Sequence, residues 1–258
     1  MLLDLRRQSL DLDPERARAL ADRHLGIGCD QLLVLHEGAG GALARFEIWN
    51  ADGSRAEQCG NGVRCIGRYL QMNGETTGED FTLDGPAGPV RLRCLEDGRV
   101  RVALGRAVFE PASVPTTLEP REGLCELELE GGRVTLGVVS MGNPHAVLRV
   151  DDAEAAPIRD LGARIGADPA FPEGCNVGFA EVADRDTLRL RVFERGAGET
   201  LACGSGACAA AAHAHRMGWV GERVRVIQPG GLLIIDLAGD GEIHMTGPAT
   251  HVFRGTMA

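Results

Sequence analysis

Short stretches of apolar residues, some continuous and some alternating with polar residues at period two, predict strands. In the first half they fall at residues 31–35 (QLLVL), 44–49, 81–83, 90–94 and 100–104, with Asp97-Gly98 as the hairpin turn between the last two. In the second half they fall at 124–129 and 134–139 around Gly131-Gly132, then at 176–182 and 187–193. A helical spacing of apolar positions marks 14–24, which follows Asp13 as N-cap and has Pro14 in its first turn. Helices are also predicted over 62–72, where Asn73-Gly74 is a stop signal, and over 160–165. Residues 207–212 are apolar on every side, so strands are expected to wrap that helix. Asn143-Pro144-His145 reads as a polar turn, and Pro111, Pro115 and Pro120 mark an extended crossing between the halves.

The elements come in the same order twice. Cys59 precedes Gly60, Asn61 and Gly62 as Cys203 precedes Gly204, Ser205 and Gly206, and each cysteine lies nine residues after a matching strand end, Asn50 or Glu194. Cys29 answers Cys175 and Gly105 answers Gly247, so the offsets drift only from 146 through 144 to 142. This is an internal duplication. The expected domains are 1–105, carrying Cys59, and 106–248, carrying Cys203, with 249–258 returning to the first.

Composition narrows the chemistry. A formal net charge of −10 with no basic tract argues against nucleic-acid and anionic-membrane partners and leaves small molecules. No apolar run reaches spanning length and acidic residues interrupt the N-terminus, so a cytoplasmic protein is expected. In that compartment the eight cysteines are expected to be free thiols rather than a disulfide framework. All 27 basic residues are arginine, which excludes pyridoxal phosphate, because that cofactor needs a lysine for its Schiff base.

Cysteine at the start of a helix, followed by residues with almost no side chain, sits where open backbone N–H groups favour a thiolate. The same groups would hold an anion. The thiol pKa is therefore expected to fall from its usual value of roughly 8.5 toward neutrality. Two such thiols on opposite sides of one cleft would suit moving a proton from one face of a carbon to the other. The other six cysteines read as core, and no spacing fits a metal site. His213 and His215, near a helix end, read as solvated.

The strings ADRHLGIGCDQLL, NADGSRAEQCGNGVR, SMGNPH, ERGAGETLACGSGAC and MTGPATHVF, in that order over essentially the whole chain, resemble the diaminopimelate epimerases. The resemblance implies an α+β fold of two pseudo-symmetric domains, each a curved mixed β-sheet around a central helix, and a homodimer. It implies epimerisation between L,L- and meso-diaminopimelate with no cofactor and no metal, Cys203 taking the α-proton of the L centre and Cys59 donating on the opposite face. His145 and Glu194 match positions that help the thiols exchange protons. Gly60, Asn61, Gly204 and Ser205 would hold the reacting carboxylate. Gln31, Asn50, Asn143, Asn176, Glu194 and Arg195 would grip the rest of the amino-acid substrate. A proline or hydroxyproline racemase is the alternative enzyme, and a metal or redox binding protein the non-enzymatic one.

Family members begin with a strand and a KMHGxGNDF-like segment, and the repeat offset puts the counterpart of 140–146 just before residue 1. The chain as given is therefore expected to lack an edge or inner strand, and to gain activity and stability when about a dozen upstream residues are restored.

Overall fold

The computed structural model describes residues 1–56, 60–237 and 239–256. Two compact units emerge, Met1–Ala103 with the C-terminal segment from Gly247, and Leu104–Thr246.

The first unit contains β1 (Leu2–Asp4), α1 (Pro14–Ala21), β2 (Gln31–Glu37), β3 (Ala44–Asn50), β4 (Arg55–Ala56), α2 (Gly60–Met72), β5 (Asp80–Gly85), β6 (Gly88–Cys94) and β7 (Val100–Ala103). Among the described residues its sheet runs β1-β2-β3-β5-β6-β7, with β4 beside β3. The Asp13 side chain accepts the Arg16 N–H at 2.8 Å and caps α1. This helix stops earlier than its pattern predicts because Asp22 turns extended and its carboxylate takes the N–H groups of His24 and Leu25. α2 ends where Gly74 adopts φ +74°, letting the Glu75 N–H reach back to the Leu70 carbonyl at 3.0 Å.

The second unit contains β8 (Cys125–Leu129), β9 (Gly132–Ser140), β10 (Pro144–Val150), α3 (Ile158–Gly166), β11 (Asn176–Asp184), β12 (Thr187–Glu194), β13 (Gly198–Thr200), α4 (Gly204–Arg216), β14 (Arg223–Gln228), β15 (Gly231–Leu237) and β16 (Ile243–Gly247). Its sheet runs β8-β9-β10-β11-β12-β14-β15-β16, with β13 beside β12. Pairing senses repeat between the units. β1 with β2 and β10 with β11 are parallel, as are β3 with β5 and β12 with β14. β2 with β3 and β11 with β12 are antiparallel.

The two central helices differ in cover. Every residue of α4 from Gly206 to Ala214 is buried, and the alanines let strands approach its axis on all sides. The closest approach is at Gly137 of β9, where a Cβ would lie 2.0 Å from the His213 ring. His213 is thus fully buried, against the solvated helix end expected from sequence, whereas His215 is exposed. On α2 the buried face carries Val63, Ile66 and Leu70, and Cys65 is exposed rather than part of the core. Cys29 is half-buried, and Cys94, Cys125, Cys175 and Cys208 lie in the interior. The 143–145 turn is also corrected: Pro144 and His145 pair with Ser140 and Val139 as the start of β10, and only 141–143 form the turn. Among the described residues no helix is long and apolar enough to cross a membrane.

Candidate active site

The second unit assembles its polar groups where β12 and β14 end and α4 begins. Cys203 occupies the N-cap of α4 in an extended conformation (φ −117°, ψ 114°), which turns Sγ over the first helical turn. Sγ accepts the Gly206 N–H at 3.4 Å and lies 3.6 Å from the Ser205 hydroxyl. The Cys203 N–H donates to Gln228 Oε1 at 2.8 Å. Gly204, also buried, opens the helix, and its first-turn N–H groups have no acceptor within the helix.

Cys203 is only 4% exposed, and this burial pushes its thiol up to about 12, with the Glu194 carboxylate adding to the rise. The hydrogen bonds from Ser205 and Gly206 act the other way and are outweighed. The near-neutral thiol expected at a helix start is thus overturned: desolvation and a facing carboxylate keep Cys203 protonated. Glu194, the last residue of β12, brings the carboxylate whose charge acts on the thiol and accepts a hydrogen bond from the Thr200 hydroxyl on β13.

Asn176 opens β11 and is buried; its Oδ1 accepts the Arg195 N–H at 3.0 Å and its Nδ2 donates to the Pro144 carbonyl at 3.2 Å. These bonds tie β10, β11 and the Glu194-Arg195 corner together. The Arg195 guanidinium is exposed and donates to the Glu173 carbonyl at 2.8 Å. His145 is fully buried with Nε2 3.0 Å from Asn143 Oδ1. Burial, with the positive charge of Arg195, lowers its pKa to about 3, so its ring is neutral.

In the first unit Gln31 and Asn50 face each other across β2 and β3, with Gln31 Nε2 donating to Asn50 Oδ1 at 3.0 Å and Asn50 Nδ2 to the Ser54 hydroxyl at 3.0 Å. Gly60 and Asn61 open α2, as Gly204 and Ser205 open α4. Cys59 lies outside the described residues.

Repeated strand–loop–helix units, each opening a helix with a glycine pair, carry the order of motifs that a diaminopimelate epimerase model matches over residues 2–110 and 137–252. The chain belongs to the diaminopimelate epimerase family. It is 46% identical to the diaminopimelate epimerase of Ectopseudomonas mendocina over 257 residues, covering 99% of this chain and 93% of the relative. It is 48% identical to that of Alkalilimnicola ehrlichii over 260 residues, with the same coverage. A hydroxyproline epimerase from Agrobacterium vitis, solved with bound trans-4-hydroxy-L-proline, has the same fold (TM-score 0.64, 19% identity, 92% of this chain and 79% of that one). As a diaminopimelate epimerase the protein is an isomerase that interconverts the L,L and meso forms of a small amino-acid substrate.

Two residues that hydrogen-bond to candidate site residues escape sequence reasoning. Thr200 is one, since a lone threonine carries no signal. Gln228 is the other, and its signal was present: it continues the buried face of Val224 and Val226 on β14, where an amide is out of place.

Proposed function

We propose that Cys203 and Cys59 are the acid–base pair of the epimerisation, Cys203 removing the α-proton of the L centre as thiolate while Cys59 as thiol delivers a proton to the opposite face. The carbanion exists only between those transfers, and the roles exchange in the reverse direction. The observation that carries this reading is Cys203 at the N-cap of α4, its Sγ accepting the Gly206 N–H at 3.4 Å with the charge of Glu194 acting on it. A thiol held protonated by burial must pass its proton to a base before it can accept one from carbon, and Glu194, whose charge acts on the thiol, takes that part.

Gly204 and Ser205, with Gly60 and Asn61 at the other helix start, offer N–H groups to the reacting carboxylate, where charge develops as the proton leaves. Asn176, Asn143, Arg195, Gln31 and Asn50 bind the remaining ammonium and carboxylate groups. Arg195 has the two-pronged geometry a carboxylate needs. His145, kept neutral, completes the acid–base set beside Asn143. The active form is a homodimer, by resemblance to the family, and sedimentation should return twice the chain mass.

Incubating L,L-diaminopimelate with enzyme in deuterated water tests the assignment. Product should gain deuterium at one α-carbon, and Cys203→Ala or Cys59→Ala should each abolish product formation. Turnover retained by either variant refutes the pairing.

A further inference from the structure

Gln228 presents an imbalance that core packing does not explain. It ends β14 on the same face as Val224 and Val226, is 5% exposed, and gives Oε1 to the Cys203 N–H at 2.8 Å. Because that partner is a donor, the oxygen must face it, and Nε2 is left buried without a hydrogen-bond partner. A buried amide satisfied at one end only is the kind of feature that marks a functional demand.

The duplication sharpens the point. Gln228 pairs with Gly231 across the β14–β15 turn as Gly85 pairs with Gly88 across the β5–β6 turn, so the counterpart of Gln228 is a residue with no side chain. The half that carries Cys203 has an amide where the other half has nothing.

We propose that Gln228 is a positioning residue for Cys203, holding the cap peptide so that Sγ stays over the Gly206 N–H. This rests on the reading of Cys203 as an acid–base thiol. The mechanism is geometric. The N-cap peptide has one N–H, which belongs to no helix bond, and fixing it fixes the φ that aims the side chain. Besides His145, the strands packed on α4 carry Arg149, Glu181, Asp184, Arg189, Arg191, Arg223, Arg225 and Asp236, and α4 itself carries Cys208, His213, His215 and Arg216, but the charge that acts on Cys203 is that of Glu194, at the end of β12. Gln228 is neutral, so its influence passes through the peptide it holds.

The test uses the full chain as wild type, Gln228→Glu and Gln228→Leu. Three quantities are measured: the pH dependence of Cys203 alkylation by iodoacetamide, followed on its peptide by mass spectrometry; kcat and KM with L,L-diaminopimelate; and the melting temperature. Gln228→Glu keeps size and acceptor but adds a charge beside the thiol, so its alkylation midpoint should rise by about one pH unit or more, with kcat falling. Gln228→Leu should lower kcat by roughly tenfold while KM stays within about twofold and the melting temperature holds. Wild-type alkylation and kcat in a folded Gln228→Glu enzyme overturn the proposal whatever the leucine variant does. So does a loss in Gln228→Leu that appears only as a lower melting temperature. Alkylation needs no turnover, so activity retained by Cys203→Ala would sink the catalytic reading of that thiol while leaving the labelling result to judge Gln228 on its own.

Discussion

A thiol at a helix start is usually read as activated, yet Cys203 shows that the N–H groups of one turn lose to desolvation reinforced by a facing carboxylate. Removing the carboxylate's charge should reveal the balance. In Glu194→Gln the Cys203 thiol should titrate lower, so alkylation of its peptide near pH 8 to 9 should quicken. Turnover should nonetheless drop by roughly 10²-fold or more, because the group that carries the thiol proton away is lost. Faster alkylation with unchanged turnover would remove Glu194 from the proton path, and an unchanged alkylation curve would mean that its charge does not reach the sulfur. This weighing of opposing terms at one atom was beyond the sequence, which displays the Cys-Gly-Ser-Gly turn but not the depth at which it sits.

Among the elements, the approach of β9 to α4 is the tightest constraint. Gly137 lies directly against the His213 imidazole, which also meets Trp219 edge-on at 5.4 Å between ring centroids. Gly137→Ala must push the strand or the ring aside and should lower unfolding free energy by roughly 1–3 kcal/mol or more, measured by urea titration. A loss below about 0.5 kcal/mol would show that the contact yields easily. Much of this level was legible beforehand. Apolar patterns located nine strands to within a few residues, and the doubled Cys-Gly-x-Gly turn revealed the duplication that the strand pairings repeat. What failed had physical causes. The pattern around Asn143-Pro144-His145 looks like a turn because proline and two polar residues dominate it, but Pro144 enters at the first position of its strand, where its missing N–H costs little. Cys65 and Cys208 look alike in sequence but stand sixth in α2 and fifth in α4, so they point about 100° apart around their helices, and the true counterpart of the buried Cys208 is Arg64, which is buried as well.

Across the molecule, acid should act through imidazoles before it acts through most carboxylates. Burial holds His145 at about 3 and His213 at about 4, whereas both titrate near 6.5 when the chain unfolds. Between those limits the unfolded chain binds more protons than the folded one, so stability rises with pH and is lost as pH falls from 6.5 toward 3. Each histidine can contribute a slope of up to about 1.4 kcal/mol per pH unit within its window. Asp4, lowered to about 2 chiefly by its hydrogen bond from the Arg6 side chain, adds a loss in the same direction below its own unfolded value. Urea midpoints measured from pH 7 to pH 4.5 should therefore decline, and His213→Leu should remove part of that decline. Parallel profiles for the two proteins would mean that His213 gains its proton without cost in the folded state.

The path of the chain through its two units also orders events in time. The segment from Gly247 packs with the first unit, where the Pro248 carbonyl accepts from Arg64 at 3.3 Å and Arg254 donates to Asn73 at 3.1 Å. A ribosome making this protein delivers nearly all of the first unit, then the whole of the second, and only at the end the strip that closes the first. At roughly 5–20 residues per second, the early unit waits many seconds for its final piece. The unit translated second is therefore the first that can finish folding, and the early one spends the interval as a client for whatever shields nascent chains.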